Sequence, residues 1–171
     1  MKVSTVPYSV FLVDDDRMFL SSLKTSLLQQ FKSGLEVSTF TTGEECLNNI
    51  ENHPDIIVLD YYLNDDQHPD ALNGLDILKK IREDSEDSTV IMLSGQDKLQ
   101  VALDSIKNGA YEYVAKSESA MVRIQNVIKN VIANLKESRE NKLYQKWNII
   151  MALTILAVLT FDVVYYYAGH Y

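Results

Sequence analysis

The chain has 171 residues, of which 46% are hydrophobic and 23% charged, with six glycines and three prolines. This composition fits one ordinary globular domain with a modest extension, and it excludes disordered, collagen-like and disulfide-rich classes. A net charge of −8 argues against a general nucleic-acid binder, because contacts to phosphates need clustered cations. Cys46 is the only cysteine, so an intrachain disulfide is impossible and a reducing compartment is favoured.

Strand-like and helix-like patterns alternate along the first 135 residues. Short apolar runs typical of buried strands occupy residues 8–13, 37–40, 56–59, 90–93 and 111–115. Between them, apolar residues recur at helical spacing, and the fifth helical pattern keeps an apolar seam as far as Leu135. Five units of strand and helix predict an α/β fold with a doubly wound, five-stranded parallel sheet.

Residues with carboxylate, hydroxyl or ammonium side chains follow four of these strands. Asp14 and Asp15 follow the first strand and Asp60 the third, while Ser94 follows the fourth and Lys116 the fifth. The carboxyl ends of parallel strands form the ligand-binding edge of such a sheet. Clustered carboxylates repel one another unless a hard cation such as Mg²⁺ neutralises them. A carboxylate beside such an ion can attack a phosphoryl group, so the pattern predicts a phospho-acceptor site.

The chain closely resembles the receiver domains of two-component response regulators. Five segments carry the resemblance: LVDDD (12–16), IIVLDYYL (56–63), NGLDIL (73–78), VIMLSG (90–95) and AYEYVAKS (110–117). It covers about residues 6–135 and implies the flavodoxin-like strand order 2-1-3-4-5. We therefore predict a receiver domain over residues 1–135.

The resemblance implies a role for each acidic residue of the site. Asp60 would be the phosphorylated aspartate. Asp14 and Asp15 would hold Mg²⁺ together with Asp60 and the backbone carbonyl of Tyr62. For Asp16 we expect a plain helix cap or solvent exposure.

The resemblance also implies residues that sense or modulate the phosphoryl group. Ser94 and Lys116 would contact it, and Tyr113 would be the switch aromatic that turns inward. Tyr62 and Gln96 match positions that influence hydrolysis of the acyl phosphate. Each has a simpler interpretation, such as a turn serine, a surface lysine or ordinary strand packing.

Two features depart from the family pattern. The loop over residues 61–73 is several residues longer than usual and carries Asp65, Asp66 and Asp70, which makes it a partner-specific lip or merely a solvated loop. Ser117 stands where the family usually has a proline in a cis peptide. A cis bond without proline costs about 2.5–4 kcal/mol, so we expect a trans bond and a small displacement of Lys116.

The C-terminal region has a different composition. Residues 136–147 predict a basic helical linker, and residues 148–168 predict a transmembrane helix with Asp162 as its only charged side chain. The alternative is a soluble helix that packs on the domain or on a second copy. Cations precede the span and none follow it, which favours a cytoplasmic receiver anchored in the inner membrane; they are Lys136, Arg139, Lys142 and Lys146.

The expected function is a phosphorylation-activated signalling module that switches protein–protein contacts at the membrane. The expected partners are a histidine kinase or phosphotransfer protein and an unidentified downstream protein, with no nucleic acid. Homodimerisation through the α4–β5–α5 face is a further expectation.

Three alternatives have less support. A receiver-like scaffold that is never phosphorylated would keep the same shape. An aspartyl phosphatase or dehalogenase would carry a second acid two residues after Asp60, where Tyr62 stands, so we expect no enzyme beyond possible autodephosphorylation. A nucleotide-binding module would need GxGxxG in the first turn, which is Asp-rich here.

Overall fold

The computed structural model describes residues 7–63, 72–85, 87–95 and 99–168, apart from the side chains of 159 and 162–168. The chain forms two compact units, one ending at Val131 and the other beginning at Ile132. The first unit contains a parallel β-sheet and its helices. The second is the continuation of the last helix.

The sheet of the first unit has five parallel strands in the order β2-β1-β3-β4-β5, which confirms the predicted doubly wound topology. Strands β3 and β4 lie inside the sheet and are buried almost throughout, which explains their uninterrupted apolar sequences. The strands are β1 (Tyr8–Val13), β2 (Leu35–Phe40), β3 (Ile56–Asp60), β4 (Thr89–Ser94) and β5 (Glu112–Ala115).

In the described ranges, five α-helices connect or follow the strands, and side chains in the preceding turns cap three of them. Asp16, Thr42 and Asn73 accept hydrogen bonds from the first free N–H groups of α1, α2 and α3. The helices are α1 (Arg17–Phe31), α2 (Gly43–Leu47), α3 (Gly74–Asp84), α4 (Leu99–Lys107) and α5 (Ala120–Ala168). The predicted cap at Asp16 is therefore confirmed.

Strand register places the polar residues at one edge of the sheet. Asp60, the last residue of β3, lies opposite Leu93 of β4, and Ser94 lies opposite Ala115 of β5. The N–H of Lys116 donates to the carbonyl of Ser94 at 2.8 Å. The same edge of the sheet therefore presents residues that are far apart in the sequence.

At the opposite edge of the sheet, Arg82, near the end of α3, donates hydrogen bonds to two turns. Its Nε and Nη2 donate to the carbonyl of Gly109 at 3.0 and 2.8 Å, and its Nη1 donates to the carbonyl of Ser88 at 2.7 Å. Gly109 has a φ of +95°, and a Cβ there would approach Arg82 Nε to 2.8 Å. One guanidinium thus fastens the turn before β4 to the turn before β5.

Helix α5 runs without interruption from Ala120 to Ala168, so the predicted linker belongs to the same helix as the predicted span. Along the part of the chain that the structure describes, no helix is both long enough and apolar enough to cross a membrane. The predicted transmembrane helix over 148–168 is therefore not supported. Its charge-free run, residues 149–161, measures about 20 Å as a helix, less than the ~30 Å hydrocarbon core.

We expect Arg82→Ala to lower the free energy of unfolding by about 2–4 kcal/mol, because two backbone carbonyls lose charge-assisted hydrogen bonds. Urea denaturation followed by circular dichroism measures this. Arg17→Ala, which removes an exposed arginine, is the matched control and is expected to change stability by less than about 0.5 kcal/mol. Equal effects of the two substitutions would contradict the proposed role of Arg82.

Candidate functional site

Three carboxylates meet at the carboxyl edge of the sheet. Asp14 follows β1, Asp60 ends β3, and one carboxylate oxygen from each of Asp14, Asp15 and Asp60 lies within 4.8 Å of the others. Asp14 and Asp60 are buried, with exposures of 1% and 2%, whereas Asp15 is exposed. The predicted convergence of these acids is therefore present in the fold.

Lys116 lies between the two buried carboxylates. Its Nζ is 2.7 Å from Asp14 Oδ2 and 2.9 Å from Asp60 Oδ2. Among the described residues no peptide bond is cis, so the bond between Lys116 and Ser117 is trans, as expected. The ammonium group nevertheless reaches both carboxylates.

The site shifts the pKa of each buried charge. Burial raises the pKa of Asp60 from its ordinary 3.8 to about 6, against the opposing charge of Lys116. Burial also raises the pKa of Asp14, and the hydrogen bond from Lys116 partly offsets that effect. For Lys116, burial favours loss of the proton, but the bond to Asp14 and the charge of Asp60 outweigh it, so its pKa is raised. Burial therefore makes it unfavourable for the two carboxylates to carry negative charge at this site.

The donor set fits a hard divalent cation. Asp60 Oδ1 is buried and has no hydrogen-bond partner among the described residues, although Oδ2 of the same carboxylate contacts Lys116. A buried carboxylate oxygen without a partner is costly, and a bound cation would supply one. Oxygen ligands from Asp14, Asp15 and Asp60 are those that Mg²⁺ prefers. The residues present therefore fit the predicted magnesium site.

Three of the remaining predicted residues, Ser94, Tyr113 and Tyr62, lie in or shortly after β4, β5 and β3. Ser94 is fully buried at the end of β4, and Tyr113 is half-buried in β5 and packs against the hydrophobic core. Tyr62 is partly exposed and contacts Tyr61 edge to face, with ring centroids 4.9 Å apart. Gln96 lies outside the described residues, as do Asp65, Asp66 and Asp70 of the long loop. The individual roles assigned to these residues stay predictions.

Two residues that shape the site are not among those predicted from the sequence. Phe19, in the first turn of α1, places its ring 5.2 Å from Lys116 Nζ, which is a cation–π distance. Gly74, the first residue of α3, donates its N–H to the carbonyl of Tyr61 at 2.9 Å. A Cβ on Gly74 would lie 2.2 Å from the backbone oxygen of Asp60. An Asn-Gly pair such as Asn73-Gly74 is typical of a helix start, but the contacts of Phe19 and Gly74 with the site are not encoded in local spacing.

The family model for the response regulator receiver domain matches residues 10–129 of the chain. The chain therefore belongs to the receiver domains of two-component response regulators. It is 30% identical over 112 residues to the response regulator MprA of Mycobacterium sp. (strain KMS), covering 65% of this chain and 45% of that protein. It is 34% identical over 108 residues to the transcriptional regulatory protein PrrA of Mycobacterium leprae, covering 63% and 42%. The chain thus spans less than half of either relative.

Solved structures show the same fold. A CheY-like receiver domain protein from Methanospirillum hungatei JF-1 is 26% identical, with a TM-score of 0.65, over 77% of this chain and 99% of that one. The beryllofluoride-activated NtrC4 receiver domain dimer is 31% identical, with a TM-score of 0.63, over 74% and 97%.

We expect Gly74→Ala to lower the free energy of unfolding by about 2 kcal/mol or more, because the added methyl group overlaps the backbone of Asp60. Urea denaturation measures the loss, and Mg²⁺ titration tests whether the carboxylates are displaced. Gly34→Ala is the matched control, since a Cβ at Gly34 meets nothing within 4 Å. A Gly74→Ala protein as stable as the control would show that the backbone of Asp60 yields easily.

Since burial raises the pKa of Asp60 to about 6, its contribution to the stability of Mg²⁺-free protein is fully present below about pH 4 and is lost as the pH rises through 6. We expect Asp60→Asn to be more stable than the parent at pH 7, by on the order of 2 kcal/mol, and the gap to shrink at pH 5. Urea denaturation in a chelator measures both values. Asp87→Asn, at an exposed aspartate, is the control, and a gap independent of pH would contradict the prediction.

Proposed function

We propose that this receiver domain accepts a phosphoryl group on Asp60 from a histidine kinase or phosphotransfer protein. One observation carries the proposal. The buried carboxylate of Asp60 has one oxygen in contact with Lys116 and a second that no described residue hydrogen-bonds, beside two further acids. That arrangement suits a nucleophile whose charge is compensated on one side and available on the other.

In the proposed reaction, a carboxylate oxygen of Asp60 attacks the phosphorus atom of the donor. The bond from phosphorus to the donor breaks, its electron pair leaves with the donor, and an acyl phosphate forms. Mg²⁺ held by Asp14, Asp15, Asp60 and the carbonyl of Tyr62 would supply positive charge to the phosphoryl oxygens. Lys116 would exchange its ion pair with Asp60 for one with the phosphoryl group.

The conformational response would pass through β4 and β5. Ser94 is buried at the end of β4, and we expect its hydroxyl to move toward the phosphoryl group. Tyr113, half-buried on the neighbouring strand, would repack into the space that Ser94 leaves. A partner that binds the repacked form more tightly would shift the equilibrium, whereas a partner without such a preference would shift nothing.

The surface that would change lies on α4, β5 and the start of α5. It carries several large apolar side chains in exposed positions: Leu99, Leu103, Ile106, Tyr111 and Val122. Exposed apolar clusters of this kind commonly mark protein contacts. The similar NtrC4 receiver domain is a dimer in its activated form. We propose this face as the contact for a downstream protein or a second copy.

Two further parts of the proposal concern the cellular location of the protein and the loss of the acyl phosphate. We place the receiver in the cytoplasm, beside the inner membrane, since the far part of α5 exposes apolar side chains with cations before them. We propose that the protein does not convert an external substrate. The acyl phosphate would be lost by hydrolysis, at a rate influenced by Tyr62 and Gln96.

Incubating the full chain with acetyl phosphate and Mg²⁺ tests the central step. We expect intact mass to show one added phosphoryl group, and we expect Asp60→Asn to abolish it while Asp87→Asn leaves it unchanged. Addition in Asp60→Asn would assign the acceptor elsewhere. No addition to any protein, from acetyl phosphate or from purified histidine kinases, would favour the scaffold alternative.

A further inference from the structure

The second unit of the structure is a helix that exposes many large apolar side chains along its described part. Between residues 149 and 161, eight large apolar side chains are 50–69% exposed: Ile149, Ile150, Met151, Leu153, Ile155, Leu156, Val158 and Phe161. Their positions are distributed around the whole circumference of the helix, not along one stripe. A single partner helix would cover one seam and leave the rest in water. Lipid hydrocarbon surrounds a helix on every side, and it therefore suits this run better.

A group of cations lies directly before this run. Residues 136–146 hold four cations and two carboxylates in a chain whose net charge is −8. Lys136 is within 4.0 Å of Glu140, but Lys142 and Lys146 form no ion pair with another described side chain. Spaced four residues apart, these two lysines lie on one face of the helix.

An amphipathic aromatic residue separates the lysines from the apolar run. Trp147 is 64% exposed and directly follows Lys146. Tryptophan prefers the boundary between water and hydrocarbon, where its ring is buried and its N–H stays near polar groups. Along the helix, the cations come first, then the tryptophan and then the apolar side chains. A bilayer presents headgroup phosphates, interface and hydrocarbon in that same order.

We propose that this part of α5 binds an anionic lipid bilayer. Lys142 and Lys146 would contact headgroup phosphates, Trp147 would lie at the interface, and residues 149–161 would enter the hydrocarbon. This rests on the proposed membrane location and adds the charge of the lipid that is recognised. The acidic receiver domain would itself be repelled by such a surface, so the lysines are what make an anionic bilayer favourable.

Vesicle flotation of the full chain tests this inference. The protein is synthesised cell-free with vesicles of phosphatidylcholine, or of phosphatidylcholine with about 30% phosphatidylglycerol, and lipid is titrated in about 0.1 M salt. The variant is Lys142→Gln with Lys146→Gln. The matched control is Lys80→Gln with Lys129→Gln, which removes the same charge from exposed positions in the first unit.

We expect half-maximal flotation at a lower lipid concentration with anionic than with neutral vesicles. Each lysine is worth about fivefold near an anionic surface, so the double variant is expected to raise the concentration needed more than tenfold. The double variant is expected to bind neutral vesicles as the parent does. The control variant is expected to bind both kinds of vesicle as the parent does.

The possible failures are distinguishable. Equal flotation with both vesicles, or no effect of the double variant, would overturn recognition of anionic lipid and leave the membrane location standing. No flotation with either vesicle, with sedimentation as an oligomer, would overturn both and show that other copies cover the apolar run. Asp60→Asn is expected to float like the parent, so failure of the phosphorylation proposal would not alter this result.

Discussion

Two buried carboxylates held against a single ammonium group are the constraint on which the site depends. Asp14 and Asp60 come from different strands and are almost fully buried, yet Lys116 lies within 2.9 Å of an oxygen of each. Removing two negative charges from water is unfavourable, and one lysine compensates only part of that cost. The fold holds the two carboxylates and the ammonium group close together, so part of the negative charge is compensated. The remaining negative charge makes the edge suitable for a cation.

The surrounding packing keeps that geometry from relaxing. Gly74 lets the start of α3 approach the backbone of Asp60 more closely than any other residue would allow. Phe19 lies beside the ammonium of Lys116, which restricts where that side chain can turn. At the opposite edge, Arg82 joins the turns that precede β4 and β5. Because β4 and β5 also carry Ser94 and Lys116, this distant guanidinium helps fix the strands that position the site.

Helix α5 belongs to both units, and its apolar side chains have different surroundings in each. Up to Val131, one face of the helix is buried in the first unit, with Ile124, Ile128 and Val131 itself among the buried side chains. Between residues 143 and 161, the described large apolar side chains are exposed. The prediction of a transmembrane helix over 148–168 followed from composition, but a span requires both length and apolarity, and no described helix meets both requirements.

The class of fold and the identity of the acidic cluster follow from the amino-acid pattern alone. Apolar runs with helical patterns between them required a parallel α/β sheet, and residues that follow parallel strands must share one edge; the strand order came from the family resemblance. The packing of the domain shows which oxygen of Asp60 has no partner among the described residues, how Lys116 contacts both buried carboxylates, and why Gly74, Phe19 and Arg82 matter. Periodicity and spacing are local properties of the chain. Those contacts depend on how closely distant segments approach, which is set by the packing of the whole domain.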